Sequence, residues 1–339
     1  MPRLLFLVSS AREMTLADGS PYETGYFAEE AATPYRRFTE AGLDVVVATP
    51  DGRPPHADPY GLEPIFHIPD EDEDFLGSIT RTFAPDVDDI RLTLHQFTAL
   101  DLAAARRIVL AMREAGTPTE EARDLVTEAA HAAWRQDRNL GDVLVEDGLA
   151  GPLSREGVDR AVQEYRAASR QISDGLAAEL AAIPGFREPR DLSAMTDAEV
   201  AEFDAVFVPG GHGPMVDLAD NPGVRRVLQT LQGKHSTIAM LCHGPAALLA
   251  GGGRDDGQWL FEGYRLTCFT DEEEDQTRVG KLGMPWYLDT ALKNAGAIFD
   301  DAPAAWVSHV VVDRNLITGQ NPGSSDAVAD AVLKSLAVL

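Results

Sequence analysis

Apolar runs alternate with helical patterns over the first fifty residues of the chain. Arg3–Ser9 is a compact apolar run that predicts a first strand, and Ala28–Ala41 carries apolar residues at helical spacing. Gly42 ends that helix, and a second apolar run, Leu43–Ala48, predicts the next strand. A strand, a crossover helix and another strand predict the beginning of a parallel sheet with helices packed on its faces.

The middle of the chain follows a different pattern. Residues 53–78 are rich in Pro, Asp and Gly, and they predict irregular surface structure. From 86–189 the apolar positions recur at helical spacing, with helix-start signals such as Thr117–Glu120. No strand pattern interrupts this block, so it cannot belong to a regular alternation of strands and helices. We therefore predict an α/β core from residues 1–85 and 190–339, with an all-helical insertion between them.

The alternation of strands and helices returns after residue 190. The apolar runs and helical patterns predict three strands, a closing hairpin and a last helix: Phe203–Val208, Ile238–Leu241, Arg265–Phe269, then Trp306–Asp313 with Leu316–Thr318, and Ser325–Leu336. Together with the first two strands, they continue the alternation of a parallel sheet with crossover helices.

The central chemical signal lies where the run Ile238–Leu241 stops. Cys242, His243, Gly244 and Pro245 follow it directly, and an Ala- and Leu-rich helix is predicted from Pro245. A strand, a sharp turn with glycine and a helix that begins with proline have the geometry of a nucleophile elbow. We expect the helix dipole and free backbone N–H groups to favour the thiolate of Cys242 over the thiol. The alternative is that Cys242 is only a small buried apolar side chain.

A thiol nucleophile needs a base, an orienting acid and donors for a developing oxyanion. His243 is adjacent to Cys242, and Asp271 follows the predicted strand Arg265–Phe269, from where it can bind one imidazole nitrogen. Asp271 is equally well explained as a solvated residue of an acidic surface run. The glycine-rich turn Pro209–Gly213 can present backbone N–H groups to an anion, so we predict that it lines the substrate site.

Composition limits the classes of partner and cofactor. A formal net charge of −26 excludes nucleic acids and anionic membranes as expected partners, and no apolar run is long enough to span a membrane. The two cysteines, Cys242 and Cys268, fit a reducing cytoplasm. The eight histidines form no HxxxH or HExxH pair, and we predict no metal.

Four motifs resemble those of the DJ-1/PfpI superfamily, in its Hsp31-like, glyoxalase III-like branch. They fall in the family order and cover about residues 1–78 and 190–339, whereas the helical block has no counterpart in the common members. The four motifs are Thr24–Glu30, Pro209–Gly213, Leu241–Pro245 and Thr318–Ser325. The resemblance implies a flavodoxin-like three-layer α/β sandwich, usually a homodimer.

The resemblance also implies roles for individual residues. Cys242 would be the nucleophile, His243 its partner, Asp271 the orienting acid, and Glu30 an acid or base that hydrogen-bonds the thiol. From the sequence pattern alone, Glu30 is a solvent-facing acid of the first predicted helix. The resemblance implies an oxyanion site formed by the backbone N–H groups of Gly211 and His243.

The implied reaction converts a small 2-oxoaldehyde to a 2-hydroxy acid without a cofactor, with Gly210 and His212 among the substrate-binding residues. Two alternatives stay open at this point. One is a Cys-dependent amidase, peptidase or hydratase whose pocket the insertion reshapes. The other is a stress-response holdase or redox sensor in which Cys242 is oxidised.

Overall fold

The computed structural model describes residues 1–63, 66–83, 101–252 and 258–338. The chain divides into two compact units. Met1–Leu62 together with Leu176–Leu339 forms an α/β unit, and Glu63–Gly175 forms a helical unit. Each unit has its own apolar core. None of the helices in these described ranges is both long and apolar enough to cross a membrane.

A seven-stranded sheet forms the centre of the α/β unit, in the order β10-β11-β7-β6-β1-β4-β5. All neighbouring strands are parallel except β10, which pairs antiparallel with β11. Two further pairs, β2 with β3 and β8 with β9, lie outside this sheet. The strands are β1 Arg3–Leu7, β2 Glu13–Thr15, β3 Pro21–Glu23, β4 Asp44–Thr49, β5 Arg190–Asp191, β6 Ala205–Val208, β7 Thr237–Leu241, β8 Arg265–Leu266, β9 Ile298–Phe299, β10 Val310–Asp313 and β11 Leu316–Gly319.

Helices cover both faces of this sheet. Successive side chains of a strand point to opposite faces. Leu5 accordingly lies in one apolar core with the helix Pro222–Gly233, whereas the neighbouring Phe6 packs edge-on against Tyr35 of the helix Ala28–Glu40, with ring centroids 5.6 Å apart. Burial on both faces explains why β1 reads as a continuous apolar run. The predicted flavodoxin-like α/β fold with a mostly parallel sheet is confirmed.

The remaining helices of the α/β unit lie before, between and after its strands, and three of them follow β8 in succession. A 3₁₀ turn lies at Tyr60–Leu62, and another precedes the last helix at Pro322–Ser324. The α-helices are Pro184–Arg187, Asp197–Val200, Gly213–Asp217, Asp271–Gln276, Arg278–Gly283, Leu288–Ala295 and Ser325–Ser335. Because β1, β6 and β7 are parallel neighbours, the segments that follow them meet at one carboxyl edge of the sheet, where α/β proteins place their ligand sites.

The prediction of a sheet strand over Arg265–Phe269 is wrong. Only Arg265–Leu266 is extended as a strand, and it pairs with β9 in a separate two-stranded sheet. The reason is visible at Phe269, whose backbone N–H donates to the carbonyl of Cys242 at 3.0 Å. This part of the chain therefore runs along the turn after β7 instead of extending the sheet.

The helical unit buries apolar side chains from successive helices, among them Ile108, Met112 and Leu144. The prediction of irregular structure over 53–78 is wrong at its end, because a helix begins at Asp70. Acidic residues fill the first turn of that helix, where its dipole favours them. The helices are Asp70–Phe83, Ala105–Glu114, Thr119–Gln136, Leu140–Glu146 and the first part of Arg155–Ala182, with a 3₁₀ turn at Leu102–Ala104.

The boundaries of the helical unit differ from those proposed from the sequence. Its predicted first residue, 86, lies outside the described residues. Its end falls at Gly175, inside the helix Arg155–Ala182, whereas we predicted 189. A continuous helix gives no change of pattern where its packing partners change, so the sequence contains no signal at that point.

Candidate active site

The turn after β7 places Cys242 at the carboxyl edge of the sheet. Its φ of 58° lies in the left-handed region, which residues other than glycine rarely adopt and which recurs at functional turns. Gly244 permits the tight approach that follows, since a Cβ there would lie 2.4 Å from the carbonyl oxygen of Val208. The segment Gly244–Gly251 is a 3₁₀ helix and not the α-helix that we predicted. The sharp strand-to-helix turn itself is present.

His243 lies between a thiol and a carboxylate. Its Nδ1 is 3.2 Å from Sγ of Cys242, and its Nε2 is 2.7 Å from Oε2 of Glu274. An ionised carboxylate only accepts hydrogen bonds, so Nε2 carries the proton and Nδ1 of the neutral ring faces the thiol with its lone pair. The three side chains form a chain in which the thiol donates to the imidazole and the imidazole donates to the carboxylate.

The acid beside His243 is therefore Glu274 and not Asp271. The carboxylate of Asp271 instead accepts a hydrogen bond from the hydroxyl of Thr290. The acidic run is a helix, Asp271–Gln276, and Glu274 lies one turn beyond Asp271, buried at 4% exposure. The sequence contained the signal for this helix, a Thr-x-x-Glu capping box that begins at Thr270.

A second histidine shares the same carboxylate. Nε2 of His212 is 3.0 Å from Oε1 of Glu274, and its Nδ1 is 3.8 Å from Oδ2 of Asp58. Asp58 is itself held by the hydroxyl of Thr24 at 3.0 Å and by the backbone N–H of Tyr60 at 2.9 Å. We predicted His212 as a substrate-binding residue, whereas Asp58 was not predicted at all because it lies in a segment that reads as irregular.

The charges of this cluster are strongly coupled. Burial alone would raise the pKa of Glu274, but the two imidazoles hold that pKa well below its ordinary value. Burial alone would likewise lower the pKa of His212, but Glu274 and Asp58 raise it to about 10. Burial, and then the neighbouring charge of His212, lower the pKa of His243. His212 is consequently the charged imidazole of the cluster, and His243 is the neutral one.

Glu30 also contacts the thiol of Cys242. It is fully buried in the first turn of the helix Ala28–Glu40, so the solvent-facing alternative is excluded. Its Oε2 accepts the backbone N–H of Gly210 at 2.8 Å, and its Oε1 has no hydrogen-bond partner in the protein. Burial, with a contribution from Glu29, raises the pKa of Glu30 to about 8. Glu30 is therefore mostly protonated near neutral pH and can donate its proton toward Cys242.

The turn after β6 fits between Glu30 and Cys242 only because Gly210 has no side chain. A Cβ on Gly210 would lie 2.5 Å from Oε2 of Glu30 and 2.6 Å from Cβ of Cys242. Gly211 has a φ of +84°, and its backbone N–H hydrogen-bonds the thiol of Cys242. The Gly210–Gly211 backbone thus lies directly against the thiol, where a donor could reach an oxyanion formed on an adduct.

The resting state of the thiol differs from our expectation. Cys242 is 3% exposed, and burial together with Glu30 raises the pKa of its thiol well above the ordinary value. The short helix after the turn does not offset this burial. The neutral thiol is therefore the resting form of Cys242, and the thiolate that we expected from the helix dipole is not favoured.

Two rings contact His243 closely. Its ring centroid is 4.3 Å from that of His212 and 4.6 Å from that of Phe269. Phe269 contacts Trp306 edge-on, with centroids 5.2 Å apart. Trp306 has a φ of 69°, which is unusual for a bulky residue, and its backbone N–H donates to Glu273 at 2.6 Å. These contacts fix the plane of the His243 ring.

His212, His243 and Glu274 also have the composition of a metal site, with ligand atoms within 4.8 Å of one another. Their spacing fits hydrogen bonds better. Tetrahedral zinc with bonds of about 2.0–2.1 Å keeps its ligand atoms about 3.3 Å apart. The pair His243 Nε2 and Glu274 Oε2 is closer than that, at 2.7 Å, which is the length of a charge-assisted hydrogen bond.

Part of the chain matches a known family. Residues 177–335 match the model of the DJ-1/PfpI family, so this part of the chain contains a DJ-1/PfpI domain. Among its curated relatives is the protein/nucleic acid deglycase HchA of Escherichia coli, which is 34% identical over 151 residues. That match covers 42% of this chain and 50% of HchA. The chain thus spans about half the length of the curated relatives it matches.

Solved structures extend the similarity to nearly the whole chain. Glyoxalase III from Candida albicans matches with a TM-score of 0.55 at 18% identity, covering 98% of this chain and 97% of that one. Rapid Encystment Protein 24 KDa from Francisella tularensis matches with a TM-score of 0.57 at 19% identity, covering 99% of each chain. At such identities the likeness supports the fold alone.

Proposed function

We propose that this protein is a Cys-dependent, cofactor-independent enzyme that converts a small 2-oxoaldehyde to a 2-hydroxy acid, as a glyoxalase III does. The observation that carries the proposal is the buried chain Cys242–His243–Glu274 with a protonated Glu30 in contact with the same thiol. A nucleophile, a base with its orienting acid and a separate proton donor are the parts that this chemistry needs.

The first step forms a carbon–sulfur bond. Nδ1 of His243 accepts the thiol proton over 3.2 Å, and the sulfur of Cys242 attacks the aldehyde carbon of the substrate. The aldehyde oxygen becomes an oxyanion, which the backbone N–H groups of Gly211 and His243 would stabilise before it takes a proton to give a thiohemiacetal. Removing one such donor costs about 10²–10³ in rate in hydrolases of similar design.

The second step moves hydrogen between the two substrate carbons. A base removes the proton from the carbon that bears sulfur, and the electrons pass to the adjacent ketone through an enediol. Protonation of that second carbon gives a thioester of the 2-hydroxy acid. Glu30 and His243 flank the sulfur, and an acid with a pKa of about 8 can both donate and accept a proton near neutral pH.

Hydrolysis completes the cycle. Water adds to the thioester carbonyl, the carbon–sulfur bond breaks, and the thiolate recovers its proton. One oxoaldehyde and one water give one 2-hydroxy acid, so methylglyoxal would yield lactate with no net oxidation and no external reductant. His243, held by Glu274 in the tautomer that accepts at Nδ1, would serve as the base for this water.

A second candidate function is supported by the name of the relative HchA, a protein/nucleic acid deglycase. Small glycated amines are the better substrates to test here, because Cys242 is 3% exposed. The net charge of −26 disfavours nucleic acids, so their absence among the partners stays a prediction, as does the homodimer.

The test is methylglyoxal consumption with detection of D- and L-lactate, in buffer free of glutathione and metals. We expect lactate from the wild type, none from Cys242→Ala, and nearly unchanged turnover from Cys268→Ala, a matched change at the other buried cysteine. Turnover by Cys242→Ala would contradict the proposal.

Absence of lactate formation by the wild type would also contradict the proposal. The reactivity of the Cys242 thiol would then distinguish the alternatives. Rapid labelling of Cys242 by iodoacetamide at neutral pH would favour a hydrolase or the deglycase. Slow labelling would favour a holdase, because a redox sensor also needs a reactive thiol.

A further inference from the structure

His212 has no part in the proposed reaction steps, yet its surroundings are specific. It is 4% exposed, and its two ring nitrogens face two carboxylates, Glu274 and Asp58. Burying a polar side chain between two acidic groups costs free energy unless hydrogen bonds or ion pairs to both of them replace the lost water. The arrangement therefore calls for a physical reason.

The hydrogen positions follow from the partners. Glu274 is ionised and offers Oε2 to His243 and Oε1 to His212, so each histidine donates from Nε2. The other nitrogen of His212 points toward Asp58, which already accepts from Thr24. With an acceptor on each side, His212 is stabilised with a proton on both nitrogens, as an imidazolium.

We propose that His212 is a positioning residue, a buried imidazolium anchored by Asp58 that keeps Glu274 ionised and so holds His243 neutral with Nδ1 open to the thiol. The inference rests on the proposed function in one respect, that His243 acts as the base. Without a cation between them, two buried carboxylates would repel each other, and one would take up a proton. A protonated Glu274 would no longer hold the tautomer of His243.

The titratable groups that face His212 set the direction of the pH effect. They are Glu274, Asp58, His243 and Glu30. With ring centroids 4.3 Å apart, a positive His212 disfavours a second positive charge on His243 and lowers the pKa of His243. The base thus stays neutral to a lower pH than it would beside an uncharged neighbour. Removing the charge of His212 should move the titration of His243 to higher pH.

The first measurement needs no substrate. Long-range hydrogen–nitrogen correlation NMR of protein carrying isotope-labelled histidine reports which ring nitrogens are protonated. Resonances are assigned with His212→Gln and His243→Gln. Near neutral pH we expect His212 with both nitrogens protonated and His243 with Nε2 protonated alone. A neutral His212 overturns the inference, whether or not the enzyme turns over any oxoaldehyde.

The second measurement separates charge from hydrogen bonding. His212→Gln keeps an amide donor for Glu274 and removes the charge. In this variant we expect the titration of His243 to move to higher pH, and with it the acidic limb of the profile of kcat/KM against pH. At the acidic end we expect kcat/KM to fall by about 10- to 100-fold. His235→Asn is the control, since His235 is exposed before β7 at the opposite edge, and Asn tolerates its φ of 54°.

Two results would overturn a charge role. One is a His212→Gln protein in which neither the titration of His243 nor the acidic limb of kcat/KM changes. The other is a uniform loss of kcat/KM at every pH, which a purely structural role would give. If the proposed reaction fails in the wild type, the NMR titration of His243 still decides the inference.

Discussion

Glu274 accepts the Nε2–H of His243 at 2.7 Å, while Asp271, one helical turn earlier, bonds to Thr290 instead. We expect Glu274→Gln to lower kcat/KM for methylglyoxal by about 10²–10⁴, because the amide can present N–H to His243 and favour the wrong tautomer. Asp271→Asn is the matched control and should change kcat/KM by less than about threefold. Equal losses in the two variants would contradict the assignment of the orienting acid.

The contrast between these two acids shows what the sequence could and could not reveal. The turn at Cys242 was predictable, because an apolar run that ends in Cys-His-Gly-Pro leaves few backbone alternatives. Glu274 was within reach, since the capping box that begins at Thr270 defines a helix and its phase. Because we interpreted the acids as a surface run, we did not predict which of them faces inward from this helix.

Other parts of the site could not be predicted from the local sequence pattern. Asp58 reaches His212 only through the parallel sheet order, which brings the segments after β4 and β6 to the edge where β7 ends. The burial of Glu30 likewise depends on Gly210, which lies far along the chain from it. Such contacts between distant segments are fixed by topology, and a single sequence has no local signal for them.

Glu30 gives the protein a pH-dependent stability of predictable sign. Its folded pKa of about 8 is above the ordinary value of 4.5, so the folded state holds this proton more tightly than the unfolded state. Stability is fully present below about pH 4.5 and is lost as pH rises toward about 8, by on the order of 4 kcal/mol from this group.

We therefore expect the neutral variant Glu30→Gln to gain stability relative to the wild type between about pH 5 and about pH 8.5. Urea unfolding at both pH values measures this difference, with the exposed Glu40→Gln on the same helix as control. A constant difference between Glu30→Gln and the wild type across this range would show that Glu30 is ionised in the folded protein.

Gly210 is one of the positions where the site tolerates no side chain. A Cβ there would lie 2.6 Å from Cβ of Cys242, with Glu30 equally close, so Gly210→Ala must displace the turn. We expect a loss of about 1–3 kcal/mol in the free energy of unfolding and at least about a hundredfold loss of kcat/KM.

Gly175→Ala is the control for Gly210→Ala, because Gly175 lies inside the helix Arg155–Ala182 with no atom within 4 Å of a Cβ built there. That change should stabilise the protein by about 0.5–1 kcal/mol. Thermal unfolding with parallel kinetics measures both variants. An active Gly210→Ala protein would mean that the turn is not held against the thiol.

Glu273 anchors the segment that carries Trp306. Its Oε1 accepts the backbone N–H of Trp306 and the side-chain amides of Gln320 and Asn321, and its Oε2 accepts from Thr270. Each of these partners is a donor, so an amide in place of the carboxylate must set its own N–H₂ against one of them. We expect Glu273→Gln to cost about 1–3 kcal/mol of unfolding free energy, whereas the exposed Glu272→Gln should cost less than about 0.5 kcal/mol.

The catalytic consequence of Glu273→Gln follows from the ring contacts. Trp306 supports Phe269, and Phe269 supports His243, so a loosened Trp306 should widen the range of His243 orientations. We expect kcat to fall by about tenfold with KM little changed, because the change disturbs the base and not the binding of a small carbonyl. Denaturant unfolding and steady-state kinetics on the same samples test the two effects. Destabilisation with an unchanged kcat would show that the stacked rings do not position His243.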